Sequence, residues 1–220
     1  MEKQTPVKKV VVIDHFGTAR EILDSDILHF RTHASVAEYC GTFDVALKND
    51  EGKNSRVAEP KDEIELWAGY PKTGIEKIMA GYVDRIIFKK EAESGETVEI
   101  FGRSYESFLF DTKVTGKIQY SDGLSQVVRE VLKGTPFNPK GILDSKGTGV
   151  VIFRNIPAID LIRQVSEENG WVFRIDYDKT AHFEPFAPSS KTHTLTSKDM
   201  KGFRIVKGSR VSSPQSSVHL

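Results

Sequence analysis

The chain has 220 residues, of which 38% are hydrophobic and 28% are charged, so it can form a core and wholesale disorder is excluded. Its 31 basic and 31 acidic residues balance, which gives no electrostatic reason to expect nucleic acid or an anionic membrane as the main partner. The longest apolar stretches, such as residues 10–13 and 150–153, are far too short to span a membrane. We therefore expect a protein that folds in the cytoplasm without membrane insertion.

The first part of the chain shows the period-two alternation of short β-strands. Strands are predicted at residues 7–13, 20–23, 27–33, 42–47 and 64–67. The polar segment between the last two is predicted to be an exposed loop. The single cysteine, Cys40, cannot form an internal disulfide and is predicted to be buried and inert in a strand.

The stretch from Glu76 to Asp111 carries the strongest pattern. Apolar residues alternate over residues 78–86 and again from residue 98 to 100, on either side of a charged, glycine-containing tip at residues 89–96. This pattern predicts a long antiparallel hairpin with one buried face. The apolar cluster at residues 108–110 must be buried in a core, so the hairpin is predicted to belong to a larger β structure. With no convincing helix before it, this part is predicted to be an antiparallel β-barrel or sandwich.

The pattern changes after residue 111. A helix is predicted with Ser121 and Asp122 at its start, an apolar face over residues 124–132 and a stop at Gly134. A loop over residues 134–149 and a short buried strand over 150–153 are predicted next.

A second predicted helix has Pro157 in its first turn and ends at Gly170, and a hairpin over residues 171–186 follows it. Strands at 192–195 and 203–206 are predicted to return after a linker. The predicted organisation is a β domain over residues 1–111, a small α+β domain over 112–187, returning strands within 188–208 and a disordered tail over 209–220.

Candidate metal and catalytic residues are few. His29 and His33 are four residues apart, but in a strand this spacing does not bring two ligands together, so no metal site is predicted. Asp176, Asp178 and Thr180 resemble the start of a calcium loop, but alanines occupy its sixth and twelfth positions. A hairpin tip is the prediction there.

The remaining polar pairs also favour structural roles. Asp14 and His15 are interpreted as a turn, because no nucleophile accompanies them. Glu63 and Glu65 alternate along a strand and are interpreted as a solvated face. Neither an enzyme nor a cofactor site is therefore predicted.

Four aromatic residues leave one alternative open. They could stack on a sugar, which would make the chain a carbohydrate- or receptor-binding module, although their position at a domain exit favours a core role. These residues are Phe101, Tyr105, Phe108 and Phe110.

Several ordered segments resemble the late control protein D family, the baseplate hub proteins of phage tails, whose relatives include hubs of contractile injection systems. Residues 42–49 (TFDVALKN) and 62–67 (DEIELW) resemble two of its strands. Residues 81–84 (GYVD) resemble a third, and residues 98–105 (VEIFGRSY), with Leu109 and Asp111 after them, resemble its partner. Phe153 and the helix from Pro157 to Gly170 resemble the small domain inserted in hubs.

The resemblance implies a tail-tube-like β-barrel with an inserted α+β domain. It also implies a homotrimer that joins the tail tube to the central spike, with the tape measure protein as a further partner, located in the virion tail after assembly in a prokaryotic cytoplasm. Hubs of this family run on to complete a second barrel, whereas this sequence ends soon after Val206. This difference is expected if the chain is a truncated hub, a minimal hub or one part of a split hub.

Overall fold

The computed structural model describes residues 7–35, 38–72, 74–91 and 95–186, together with strands at 202–205 and 216–219. The chain divides into two compact units, residues 1–186 and residues 187–220. Strands predominate among the described residues, in which helices are few and short. The prediction of a mainly β fold with an α+β insertion is confirmed.

Seven strands from the first half of the chain form one antiparallel sheet. They are β1 (Val7–Ile13), β2 (Ala19–Ile22), β3 (Ile27–Ser35), β4 (Glu38–Lys48), β5 (Glu63–Tyr70), β6 (Gly74–Glu91) and β7 (Gly95–Ser104). Short 3-10 turns lie at Asp24–Asp26 and Asp50–Gly52. The order across the sheet is β2-β1-β5-β6-β7-β4-β3. The alternating segments predicted as strands and the long hairpin are therefore confirmed.

The sheet curls so that its two ends approach each other. Lys8 of β1 donates hydrogen bonds from Nζ to the carbonyl oxygens of Ile27 and Leu28 in β3, at 3.2 and 3.3 Å. β3 is one edge of the sheet and β1 lies next to the short strand at the other edge. A tube-like barrel requires such an approach of the two edges. The inner face of the sheet packs into a first core. Its buried members are Val10, Val12, Ile22, Ile27, Phe43, Val45, Leu47, Val57, Ala58, Ile64, Leu66, Met79, Val83, Val98 and Ile100.

The segment between β4 and β5 was predicted to be exposed, and this prediction was wrong for much of its length. Val57 and Ala58 join the first core. Asn49 and Asn54 are buried as well. The Asn54 N–H donates to Asn49 Oδ1 at 2.9 Å, and its side-chain amide donates to the carbonyl oxygen of Lys48 at 2.7 Å. Polar residues can be buried here because they satisfy one another's hydrogen bonds.

The α+β region follows the sheet and contains three helices and five strands. They are α1 (Ser107–Asp111), β8 (Lys113–Tyr120), α2 (Ser125–Leu132), β9 (Asn138–Ile142), β10 (Gly149–Pro157), α3 (Ala158–Asn169), β11 (Trp171–Ile175) and β12 (Thr180–Pro185). β8 and β10 form an antiparallel ribbon, and β11, β12 and β9 form a three-stranded sheet. The apolar faces of α2 and α3 pack with Leu109, Phe173 and Phe183 into a second core.

Three local predictions in this region need correction. The first predicted helix is α2, which begins at Ser125 rather than next to Ser121. The Ser145 hydroxyl accepts the Ser125 N–H at 2.9 Å. This distant serine takes the role that a local cap would have. The loop predicted over 134–149 contains β9, which pairs in parallel with β12. The strand predicted to be buried over 150–153 is β10, in which Ile152 is exposed.

The second helix matches its prediction more closely. Pro157 immediately precedes α3 with an extended backbone, instead of lying in its first turn. Gly170 ends the helix in the left-handed region, at φ +65°. This conformation is favourable for glycine alone among common residues, which explains why the helix stops there.

The unit of residues 187–220 contains a hairpin of β13 (Gly202–Ile205) and β14 (Ser216–His219). β13 agrees with the strand predicted at 203–206, whereas the strand predicted at 192–195 lies outside the described residues. β14 lies in the segment predicted to be a disordered tail. The small polar residues of this segment do not indicate that it pairs with β13. The boundaries of the predicted domains, and the return of these strands to the barrel, stay predictions.

Candidate functional site

The outer face of the sheet carries a groove of about 600 Å³. A row of side chains crosses four adjacent strands, with Arg31 opposite Asp44, Asp44 opposite Phe101, and Phe101 opposite Arg85. Arg31 Nε donates to both carboxylate oxygens of Asp44, at 2.9 and 3.0 Å. The guanidinium carbon of Arg85 lies 4.5 Å from the centre of the Phe101 ring. Neighbouring strands therefore hold these charged and aromatic groups in fixed positions.

A second set of charges lies beside this row. Arg103 donates from Nε and Nη2 to the two carboxylate oxygens of Asp84, at 2.8 and 2.9 Å, and Asp111 lies 3.7 Å from Nη2. The hydrogen bond to Asp84 raises the pKa of Arg103. Partly exposed pairs of this kind stabilise a fold by less than about 1 kcal/mol. Both hydrogen bonds of this bidentate pair are made within the chain, and they fix the positions of Arg103 and Asp84 at the surface.

We call this surface the outer groove. Its lining residues are Arg31, Thr32, His33, Thr42, Phe43, Asp44, Asp84, Arg85, Phe101, Gly102 and Arg103. Asp44, Asp84 and Arg103 come from three of the four strand segments that carry the hub resemblance, so the fold brings these three segments together. Arg31 and Arg85 were not predicted as site residues, because the register between strands determines which residues lie opposite them. Their alternate spacing on predicted strands is a signal that would have placed both side chains on the outward face.

Acidic residues of β5 join the sheet to the α+β region. Lys179, in the turn between β11 and β12, places Nζ 2.6 Å from Glu63 Oε1, and the Tyr105 hydroxyl donates to Glu63 Oε2 at 3.2 Å. Lys77 Nζ lies 2.5 Å from Glu65 Oε1. The interpretation of Glu63 and Glu65 as a solvated face was therefore wrong, since Lys179 and Tyr105 contact Glu63 and Lys77 contacts Glu65. Burial, together with the charge of Glu63, raises the pKa of Tyr105.

A buried carboxyl connects three strands at the same junction. The Ser104 hydroxyl donates to Glu106 Oε2 at 2.6 Å, and the N–H of Ile175 in β11 donates to Glu106 Oε1 at 2.8 Å. The Ser104 hydroxyl also accepts the N–H of Gly41 in β4, at 2.9 Å. Among the described residues, no basic side chain forms an ion pair with Glu106. Burial raises the pKa of Glu106, and the hydrogen bonds oppose this shift.

We expect Glu106→Gln to change the pH dependence of stability. The folded-state pKa lies above the ordinary value of 4.5, so the folded protein holds this proton more tightly than the unfolded chain does. The wild-type protein should therefore lose stability relative to the variant as pH rises from 4.5 through the folded-state pKa, and the difference should stay constant above it. Urea unfolding of both proteins over a pH series measures the difference.

Glu167→Gln is the matched control for that experiment, because Glu167 is an exposed glutamate on α3. Its free energy of unfolding should follow the wild-type value across the same pH range. A wild-type-minus-variant difference for Glu106→Gln that does not vary with pH would contradict this account of the junction.

The residues weighed as a metal site do not converge. His29 Nε2 lies 3.7 Å from Asp44 Oδ2, in the charged surface described above. At the other candidate position, Asp178 accepts the N–H of Thr180 at 3.0 Å and His182 lies 2.7 Å from Asp176. The hairpin tip predicted there is confirmed. Across the described ranges, no group of three or more metal-ligating side chains comes together.

The turn predicted at Asp14 and His15 is confirmed. Asp14 Oδ1 accepts the N–H groups of Phe16 and Thr18, at 2.9 and 2.8 Å. These hydrogen bonds lower the pKa of Asp14, and the bond from the Thr18 N–H has the largest effect on it. His15 lies 3.9 Å from the buried carboxylate of Asp62 rather than against a nucleophile.

The four aromatic residues weighed as a sugar platform are separated. Phe101 lies in the outer groove under Arg85. Tyr105 is only 2% exposed, and Phe108 and Phe110 pack against the same second core. The core interpretation therefore fits three of the four rings, and no shared stacking surface remains.

Cys40 is half-buried rather than fully buried. Its Sγ lies 3.5 Å from the Ser104 hydroxyl, and burial raises the pKa of the thiol. A raised pKa lowers the thiolate fraction, which agrees with the inert role predicted for this residue.

The fold can be compared with known structures, although the sequence matches no protein-family model and no curated protein. The 43 kDa tail protein of prophage MuSo2 from Shewanella oneidensis superposes with a TM-score of 0.67 at 16% identity, covering 90% of this chain and 62% of that chain. The tail protein from Neisseria meningitidis MC58 superposes with a TM-score of 0.65 at 12% identity, covering 90% and 59%. This is a tail-protein fold.

A similar fold also occurs in a third solved structure. A Francisella PdpA–VgrG complex superposes with a TM-score of 0.56 at 10% identity, over 94% of this chain and 37% of that chain. The present chain spans less than two thirds of either tail protein. Within the described residues, no helix is long and apolar enough to cross a membrane.

Proposed function

We propose that this chain is a structural hub protein of the baseplate of a phage or phage-like particle. In this role it oligomerises, with a trimer as the proposed state, and joins the tail tube to the central spike. The observation that carries the proposal is the tail-protein fold over 90% of the chain, with a TM-score of 0.67. The similar structures are tail proteins, so the proposed role is structural and not enzymatic.

The geometry of the sheet supports assembly into a ring. A ring forms when one surface of each subunit meets a different surface of the next. The outer groove is one such surface, with positioned guanidinium, carboxylate and phenyl groups. The hairpin of β6 and β7 is a second, and ion pairs between Lys89 and Glu99 and between Lys90 and Glu96, at 2.6 and 2.7 Å, brace its two strands. We propose that these two surfaces lie in subunit contacts.

The proposed partners are further copies of the chain, the tail tube protein, the spike protein and the tape measure protein. The proposed location is the tail or baseplate of the particle, after assembly in the host cytoplasm. The PdpA–VgrG complex supports the spike as a partner, because a similar fold occurs in a complex that contains VgrG. The domain division of residues 1–111 and 112–187 belongs to the same proposal.

Coexpression with the tube and spike proteins of the same genome tests this function. We expect the chain to copurify with the spike protein through size-exclusion chromatography as an assembly of fixed stoichiometry. Recovery of the chain alone, with the spike protein eluting separately at every salt concentration tried, would contradict the proposal.

A substitution in the outer groove tests the proposed subunit contact. Arg85→Glu reverses a charge that stacks on Phe101 without entering either core, so we expect self-association to weaken at least about tenfold while the chain stays folded. Sedimentation velocity over a concentration series measures this change. Arg174→Glu reverses an exposed arginine of β11, outside the groove, and should leave self-association unchanged. Equal effects of the two variants would exclude the outer groove as the contact.

A further inference from the structure

The ribbon of β8 and β10 has an exposed face that differs from the rest of the α+β region. Val150 and Ile152 are 49% and 75% exposed on this face. Lys117 lies directly opposite Ile152 in the register. The methylene groups of a lysine can cover a neighbouring apolar side chain, yet Ile152 stays largely uncovered. Two aliphatic side chains on one face of β10, in the part before its bulge between Phe153 and Ile156, are thus available to a partner.

The same face is positively charged. Lys113 and Lys117 on β8 and Arg154 on β10 are all exposed, and neither strand contains an aspartate or a glutamate. None of the three forms an ion pair with any of the described residues. The lysines of the β6–β7 hairpin are different, because Lys89 and Lys90 each lie within 2.7 Å of a glutamate. The ribbon therefore presents cations that are available to pair with a negatively charged molecule.

The charge of the chain itself indicates which molecule this is. Residues 187–220 contain six basic residues and one acidic residue, so this unit has the same sign of charge as the ribbon and does not complement it. An acidic partner does complement it. Nucleic acid would also bring negative charge, but apart from the thymine methyl group it offers no aliphatic groups to cover Val150 and Ile152.

We propose that the exposed face of the β8–β10 ribbon binds an extended acidic segment, with interspersed aliphatic residues, from a partner protein. Side chains on one face of a strand repeat about every 7 Å, which equals the spacing of alternate side chains in an extended peptide. Carboxylates of the segment pair with Lys113, Lys117 and Arg154, and its aliphatic groups cover Ile152 and Val150. This inference does not depend on the hub function, because it concerns a face of the single chain.

A fluorescein-labelled peptide of three Glu-Glu-Val-Val repeats tests the inference, because each face of such an extended peptide presents both acidic and aliphatic groups. We expect fluorescence anisotropy to show binding to the full chain that weakens as salt is added. Lys117→Glu should weaken binding at least tenfold, and Ile152→Thr should weaken it while leaving the charge intact. Lys48→Glu changes an exposed lysine on β4 and is the matched control, which should bind as the wild type does.

Four results would overturn the proposal. They are failure of the Glu-Glu-Val-Val peptide to bind, equal binding of a Lys-Lys-Val-Val peptide, equal loss of binding in Lys48→Glu, and tighter binding of single-stranded oligothymidylate. Loss of self-association in Lys117→Glu without any peptide binding would assign the face to a second copy of the chain instead. Because the peptide assay needs only the single chain, it can fail or succeed whether or not the chain assembles with a spike.

Discussion

Phe183→Ala should lower the free energy of unfolding by about 3 to 5 kcal/mol, the cost of emptying a phenylalanine site in a packed core. Phe183 is fully buried and lies on β12, the central strand of the three-stranded sheet. Its ring centre is 5.0 Å from that of Trp171. Because the surrounding helices and strands hold their positions, the cavity cannot close completely. Urea unfolding followed by circular dichroism measures the loss.

Phe186→Ala is the matched control for Phe183→Ala. Phe186 is 62% exposed, so Phe186→Ala should change the free energy of unfolding by no more than about 0.5 kcal/mol. Similar small losses in the two variants would mean that the second core does not form around β12 as described.

Gly81→Ala should destabilise the sheet by about 3 kcal/mol, at the upper end of overpacking effects. A Cβ atom at this position would lie 1.9 Å from the carbonyl oxygen of Arg103 and 2.7 Å from the carbonyl carbon. These atoms belong to the backbone of β7, which pairs with β6 at this point. A side chain could rotate away from the new methyl group, but the neighbouring strand has to move as a whole. The same denaturation experiment measures the effect.

Gly116→Ala is the control for the glycine substitution. Gly116 is also a strand glycine, on β8, but an added Cβ would meet its nearest neighbour, Phe153 Cζ, at 3.4 Å. This is ordinary contact, so we expect a change below about 1 kcal/mol. If Gly81→Ala and Gly116→Ala had equal effects, the close approach of β6 and β7 would be excluded.

Gly81 lies three residues before Asp84 of the outer groove. A bulge between Val83 and Arg85 contains Asp84, which binds Arg103 on β7. A displacement of β6 from β7 at Gly81 would also move Asp84 relative to Arg103. We expect Gly81→Ala to disturb the groove as well as the stability of the sheet.

The sequence predicts those parts of the fold that depend on local pattern. The strands on either side of the charged hairpin tip form where they were predicted, and α3 has both an apolar face and Gly170 at its end. The buried face of β6 differs from the predicted one, because Met79 and Val83 enter the first core and a bulge between Val83 and Arg85 shifts the alternation. β8 was not predicted, since Gly116 and two lysines interrupt its apolar pattern.

The parts that the sequence did not reveal depend on contacts between distant residues. Glu63 pairs with Lys179, 116 positions away, and this contact turns a predicted solvated face into a junction. Asn49 and Asn54 are buried because they bond to each other and to the backbone of β4. The row from Arg31 to Arg85 requires the register of four strands, which no local pattern specifies. The sequence therefore indicated only separate residues of the candidate site, such as Asp44 and Arg103 in the motif segments.

The central claim is that this chain assembles as a hub, and its mass in solution tests that claim most directly. Multi-angle light scattering over a wide range of protein concentrations should give three times the 24.7 kDa mass of the chain without the spike protein, and a larger mass when the spike protein is added. A trimer that dissociates in Arg85→Glu but not in Arg174→Glu would place the subunit contact at the outer groove. A mass of 24.7 kDa at every concentration, unchanged by the spike protein, would contradict the hub account.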